Sequence, residues 1–340
     1  MKLNKLFVIV LSLALLLASL GTCATVAEEN TISVVTTIFP IYHWVRQIVG
    51  DTNHVEITML LDNGVDLHSY QPTAADIMKI STCDVFIYVG GESDEWVDDV
   101  LQEAVNPNII VINLLECLGD DVKIEELVEG MEHNHDHDEE HDHDHDHDED
   151  EHDEDHEHEH EEETDEHVWL SLRNAQKLVR AIVDKLAEAD PDYTNAYQTN
   201  AASYCEELAA LDAQFVELIQ QAKYKTVLFG DRFPFRYLVD DYGLTYYAAF
   251  SGCSAETEAS FQTIMFLAQK VDELDLPAVL TIEGTNHKIA ETIVQTTTKK
   301  NQRVLTLDSM QSVNAADVQA GATFLGIMQN NLSVLKEALN

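Results

Sequence analysis

The stretch 193–222, YTNAYQTNAASYCEELAALDAQFVELIQQA, decides how this chain is built. It holds no glycine or proline, is rich in Ala, Leu and Glu, and reads as one uninterrupted helix. About 30 residues at a rise of 1.5 Å reach roughly 45 Å, enough to run along a molecule and connect two lobes. On either side of it, short β-branched runs alternate with helical stretches. Before it, 32–37, 55–60, 85–89 and 109–112 read as strands, and 41–49, 73–80, 96–104 and 174–188 as helices. After it, 226–229, 278–282 and 304–307 read as strands, and 235–242, 260–274 and 288–299 as helices. Such alternation implies parallel sheets covered by helices. The expected architecture is therefore α/β in two lobes, each a mainly parallel sheet flanked by helices: an N-terminal lobe over 30–190, a linker helix over 191–222 and a C-terminal lobe over 223–340. Open parallel sheets bind ligands beyond the carboxyl ends of their strands, which places the expected site in the cleft between the lobes.

The first residues read as an export leader over 1–27. Lys2 and Lys5 precede an apolar run over 6–20 that is short for a spanning helix, and small and polar residues follow it. Leu20-Gly21-Thr22-Cys23 reads as a lipoprotein cleavage box, with ordinary cleavage nearby as the alternative. Acylated Cys23 would tether the fold to a membrane surface outside the cytoplasm without embedding it. The other cysteines, Cys83, Cys117, Cys205 and Cys253, form no CxxC pair and read as buried thiols or a single bridge.

The formal charge of -44 is concentrated. The run 132–166 carries 22 acids and no Lys or Arg, and 11 histidines lie between His133 and His160. Such a segment cannot bury apolar surface, so a disordered loop is expected over 131–166. An acidic balance argues against nucleic acid and anionic lipid as partners and is compatible with cations. No phosphate-cradling glycine loop, nucleophile elbow or Ser/His/Asp set is recognisable, so the reading is not of an enzyme.

Two segments carry metal chemistry. In Gly64-Val65-Asp66-Leu67-His68-Ser69-Tyr70-Gln71-Pro72-Thr73, His68 sits on a strand-to-helix loop where a side chain can enter a cleft. In His167-Val168-Trp169-Leu170-Ser171-Leu172-Arg173-Asn174-Ala175, His167 follows the acidic run and precedes a helix. Each histidine alone has an ordinary reading, as a solvated loop residue or one more member of the His-rich run.

Together the two segments resemble the zinc- and manganese-specific solute-binding proteins of ABC importers. That family shows a G-x-D-P-H-x-Y-x-P-T-like and an H-x-W-L-S-P-x-N-A-like segment; Leu67 and Leu172 stand here where it usually has Pro. The likeness covers nearly the whole chain after the leader, including the His-rich insertion, the long helix and the Tyr242-Gly243-Leu244 turn. It implies one cation held between the lobes by four side chains. His68 and His167 match the N-terminal ligands, and Asp308, after the last strand, matches the family's aspartate. The remaining ligand, a His or Glu ten residues before the Tyr of the turn, falls on Arg232, which has no lone pair to give. His287 is the first choice to replace it, with Asp231 and Glu256 as alternatives. Imidazole-rich sites and the His-rich run favour Zn2+ as the transported ligand over Mn2+, which prefers oxygen donors. The expected function is an extracytoplasmic, monomeric zinc receptor that delivers its ion to an ABC importer permease. The alternatives are a manganese receptor of the same family, a surface zinc buffer acting through the His-rich loop, and a three-ligand zinc hydrolase.

Overall fold

Four short runs dominated by Val and Ile build the first sheet. Strand β1 (Ile32–Thr36) leads to helix α1 (Phe39–Val49), β2 (Val55–Met59), α2 (Ala74–Thr82), β3 (Val85–Tyr88), α3 (Trp96–Gln102), β4 (Ile110–Asn113) and the short α4 (Leu114–Leu118). All four strands are parallel, in the order β2-β1-β3-β4. β3 is buried at every position, as a parallel strand covered on both faces must be. The computed structural model describes residues 31–131, 163–254, 258–284 and 286–340. The expected leader with Cys23, almost all of the His-rich run and Glu256 lie outside the described residues.

The chain is described again from Glu163, earlier than the expected end of the loop at 166. Thr164 pairs antiparallel with Ile124, Glu125 N–H donates to Glu163 O (2.8 Å), and Asp165 N–H donates to Lys123 O (2.9 Å). Residues 163–166 are therefore fixed by main-chain bonds, which composition could not foretell. Helix α5 (Leu172–Ala189) follows, capped by the Ser171 side chain accepting from Asn174 N–H, and turns at Asp190 into α6 (Thr194–Gln221). At that corner Asp190 accepts from Tyr197 OH (2.6 Å) and lies 2.8 Å from His54 Nε2. The 28 residues of α6 run about 42 Å. One seam of it, from Tyr197 through Leu208 to Ile219, is buried.

The second half repeats the first sheet's logic. β5 (Thr226–Phe233), α7 (Arg236–Tyr242), β6 (Thr245–Ser251), α8 (Phe261–Leu274), β7 (Ala278–Ile282), α9 (Lys288–Thr296) and β8 (Arg303–Leu307) form a parallel sheet in the order β6-β5-β7-β8. Helices α10 (Ala315–Gln319) and α11 (Phe324–Ala338) close the chain. Sequence reasoning anticipated neither these two helices nor β6, whose Tyr-Tyr-Ala-Ala-Phe core has no β-branched residue. It also ended β5 at Phe229, whereas the strand continues through Gly230 and Asp231 by way of a register shift between Phe229 and Arg232. Asp231 and Arg232 thus stand on a strand end rather than a loop.

One apolar core runs continuously from the first sheet along α6 into the second, and a smaller one covers the outer face of the second sheet. Trp44 of α1 meets Phe324 of α11 edge-on at 5.3 Å, so the last helix seals the two halves together. Polar contacts cross the same seam. Trp169 Nε1–H donates to Ser309 O (2.8 Å), Tyr237 OH to Asp165 O (2.8 Å), and Ala315 N–H to Asp62 O (2.7 Å). Among the described residues no helix is long and apolar enough to cross a membrane.

Candidate metal centre

His68, Cys253 and Asp308 each follow the carboxyl end of a strand, where open parallel sheets present their ligands. His68 follows β2 in a single 3₁₀ turn, Leu67–Ser69. Asp66 caps that turn by accepting His68 N–H (3.0 Å), and Leu67, 1% exposed, pins it into the core. The Leu that replaces the family's usual Pro is thus an apolar anchor. His167 precedes a second 3₁₀ turn, Val168–Leu170, all of it buried, and is itself 0% exposed.

The two imidazoles meet with Nε2 of His68 3.1 Å from Nε2 of His167. Their outer nitrogens are tied to oxygen. His167 Nδ1 lies 3.0 Å from Asp165 Oδ1, which also accepts the His167 backbone N–H (2.9 Å). A carboxylate only accepts, so Nδ1 carries the proton and Nε2 points inward. His68 Nδ1 lies 2.8 Å from Ser93 Oγ and 3.5 Å from Glu166 Oε2. Glu166 is held in turn by Ser93 N–H (2.9 Å). Such outer partners orient a histidine for metal ligation.

Burial first, and then the charge of His167, pushes His68 down to about 3. His167 is raised: burial opposes its charge, but the Asp165 carboxylate outweighs it. The space between the two Nε2 atoms is where a dication would sit. Two nitrogens bound at 2.0–2.1 Å in a tetrahedral site lie about 3.3 Å apart, close to the separation observed.

Among the described residues, the His, Cys, Asp and Glu ligand atoms that converge in a group of three are those of His68, His167 and Cys253, all within 4.8 Å of one another. The structure therefore brings together the two predicted histidines and adds a thiol that sequence reasoning set aside. It does not gather the expected Asp308, His287 or Asp231 into that group. Asp308, past β8, accepts Met310 N–H (2.8 Å) and is pushed up to about 6 by burial and by neighbouring Glu283. Glu283 is committed to the Ser309 and Gln311 amides. His287 caps α9 in a left-handed conformation (φ 55) and is half-buried. Asp231 accepts Ile282 N–H (3.3 Å) and its neighbour's N–H (2.9 Å). Arg232 reaches across the seam, its Nη2 2.7 Å from Asp66 Oδ2 and its Nη1 donating to Ser254 O.

The only signal for Cys253 was its place after the Tyr-Tyr-Ala-Ala-Phe run, and that run has to be recognised as a strand before the signal exists. Gly252 beside it lies against His167: a Cβ added there would come 3.0 Å from His167 Cε1 and 3.0 Å from Phe233 O.

A two-lobed binding protein of the long-helix type, with its ligand seat at the seam, is the class these features define. Residues 34–338 match the family model described as zinc-uptake complex component A, periplasmic, and the chain belongs to that family. It is 33% identical to the zinc-binding lipoprotein AdcA of Streptococcus pneumoniae serotype 4 over 96% of this chain, and spans 60% of that relative's length. It is 28% identical to the high-affinity zinc uptake system protein ZnuA of Bacillus subtilis, over 96% of this chain and 94% of the relative. The crystal structure of the Zn(II)-bound ZnuA-like domain of S. pneumoniae AdcA matches 91% of this chain and 99% of that one, with a TM-score of 0.67 and 27% identity.

Proposed function

We propose that this chain is an extracytoplasmic receptor that captures Zn2+ between its lobes and delivers it to an ABC-type importer, with His68 and His167 as the ligands that define the seat. The observation that carries this reading is the pair of buried imidazoles whose Nε2 atoms face each other at 3.1 Å while their Nδ1 atoms are held by Ser93 and Asp165. Membership of a zinc-uptake family and the zinc-binding names of the relatives support it. The ion is cargo, so the seat must hold it without performing chemistry; a receptor rather than an enzyme follows. Because one apolar core spans both halves, capture proceeds with modest lobe movement. Acylation at Cys23 would keep the receptor at the membrane face, where a single copy docks on the permease.

The manganese reading is disfavoured by two imidazoles in a buried seat, since that ion prefers oxygen ligands. The buffer reading places function in the His-rich run instead. Isothermal titration of a chain lacking residues 132–162 separates the readings. Retention of one tight zinc site that His68→Ala abolishes is the receptor's result; only weak, multiple sites that vanish with the deleted run would replace it with the buffer.

A further inference from the structure

We infer that Cys253 is the third ligand of this seat, so that the cargo ion is held by two imidazole nitrogens and one thiolate. This deepens the receptor reading and rests on it.

The geometry supplies the argument. Cys253 follows β6, on the opposite lobe from His68, yet its Sγ lies within 4.8 Å of both imidazole ligand atoms. Two features hold it there. Its backbone N–H donates to Glu125 Oε1 (3.0 Å), on the strand-like segment that pairs with Thr164 just ahead of His167. Its neighbour Gly252 presents bare backbone to the His167 ring, so the β6 terminus comes closer than a side chain would allow. In a tetrahedral zinc site a sulfur at about 2.3 Å and a nitrogen at about 2.0 Å are separated by roughly 3.6 Å, so a small inward movement completes the set. Burial, with Glu125, Asp165 and Glu166 adding to it, raises the thiol well above its ordinary range. When the Sγ–metal bond forms, the thiol proton leaves to solvent, and the same carboxylates favour the incoming dication.

The consequence is for selectivity. The family position for an imidazole or carboxylate is filled here by Arg232, which turns to Asp66 (2.7 Å) and cannot ligate. A seat built from N, N and S selects thiophilic borderline ions such as Zn2+ and Cd2+ and rejects Mn2+, which a carboxylate-rich seat would accept.

The test uses the full chain loaded with Co2+ at up to one equivalent. The His-rich run contains no cysteine and cannot produce a sulfur-to-cobalt charge-transfer band, so that band reports on this seat against the background of other imidazoles. The band is expected in the wild type and in Cys117→Ser, whose thiol is exposed elsewhere, and is expected to be lost in Cys253→Ser and in His68→Ala. Zinc affinity in Cys253→Ser should fall at least about tenfold. X-ray absorption of unmutated protein at half an equivalent of zinc, which needs no variant to fold, should show a sulfur scatterer at about 2.3 Å. Absence of the band and of the sulfur shell in the wild type, or unchanged zinc affinity in Cys253→Ser, overturns the inference. If His68→Ala and His167→Ala still lose tight binding in that case, the receptor reading stands without the thiol; if they do not, the receptor reading has itself failed.

Discussion

The two sheets have the same strand order and direction, yet the chemistry at their carboxyl ends is opposite in kind. The N-terminal half presents two imidazoles whose inner nitrogens are turned toward a shared centre and whose outer nitrogens are braced by Ser93 and Asp165. The C-terminal half presents carboxylates that accept backbone amides: Glu283 from Ser309 and Gln311, Asp231 from Ile282, Asp308 from Met310. Equivalent topology therefore fixes where a ligand can sit, and local hydrogen bonding decides how each side chain is oriented there. The N-terminal half brings two facing imidazoles to the seam, and the C-terminal half brings Cys253 and Arg232 to them.

The strongest attempt to break this comparison removes one residue from each half. His68→Ala or His167→Ala should weaken zinc by about 10²- to 10³-fold, taking one of four shares of a typical structural-zinc binding energy of 10–16 kcal/mol. Asp308→Asn should change affinity less than about tenfold, since its carboxylate lies outside the convergent group. Calorimetry on the three variants decides. Equal losses would make the C-terminal carboxylate a ligand after all and erase the asymmetry.

Acid should stress the halves with opposite sign. His43 on α1 is buried between Phe39 and Tyr204, its Nδ1 has no hydrogen-bond partner, and burial, with Arg46 adding to it, pushes it down to about 4. Below its ordinary value of 6.5 the unfolded chain takes a proton that the folded chain refuses, so stability falls as pH drops from about 6.5 to 4. The loss approaches about 3 kcal/mol at the acid end. His43→Phe, similar in volume and unable to titrate, should flatten that limb in urea melts. Asp308 runs the other way. Raised to about 6, it costs stability as pH climbs from about 4 through 6. Asp308→Asn should therefore stabilise at neutral pH and lose its advantage below about 4. A His43→Phe protein with an unchanged acid limb would assign that limb to other groups.

Much of this was legible from residues alone. The uninterrupted run at 193–222 gave the long helix because nothing in it stops one, and Val/Ile-rich runs gave seven of the eight strands. His68 and His167 were found through the motifs around them, not by any measure of distance; 99 positions separate the residues whose rings touch. The missing pieces have a common cause. β6 carries its one β-branched residue, Thr245, at its start and an Ala pair at its centre, and β5 extends through Gly230 and Asp231, residue types depleted from strands. Both elements are fixed by sheet neighbours instead of local preference. Cys253 was hidden with them, because a lone cysteine gains meaning only once the strand before it is placed. Asp165 and Glu166 brace the pair, but they belong to a run of 22 acids in which no single carboxylate stands out.

Gly252 tests how closely the two halves must approach. An added Cβ would sit 3.0 Å from both His167 Cε1 and the Phe233 carbonyl, and that backbone oxygen cannot swing away as a side-chain tip could. Gly252→Ala should cost about 1–2 kcal/mol of stability and weaken zinc severalfold by displacing the His167 ring. A variant with wild-type melting and wild-type affinity would show that the contact has slack and that the seat is less tightly defined than its distances imply.

The smallest expected effect concerns the ion pair between Arg232 and Asp66, which joins the halves beside His68. Arg232 and Asp66 are each about one-fifth exposed, so solvent screens their 2.7 Å contact only in part, and a double-mutant cycle should assign it about 1 kcal/mol. Its effect on zinc has the opposite sign to its effect on folding. The guanidinium charge is felt at His68, where it helps to lower that imidazole's proton affinity, and it opposes a dication in the same way. Arg232→Gln should therefore lower the melting temperature slightly while tightening zinc binding a fewfold, with the gain shrinking as salt is added. If zinc binding weakens instead, Asp66 released from its partner has failed to keep the His68 turn in place. The C-terminal half would then be holding the His68 turn in shape, and the contrast between the two halves would have to be given up.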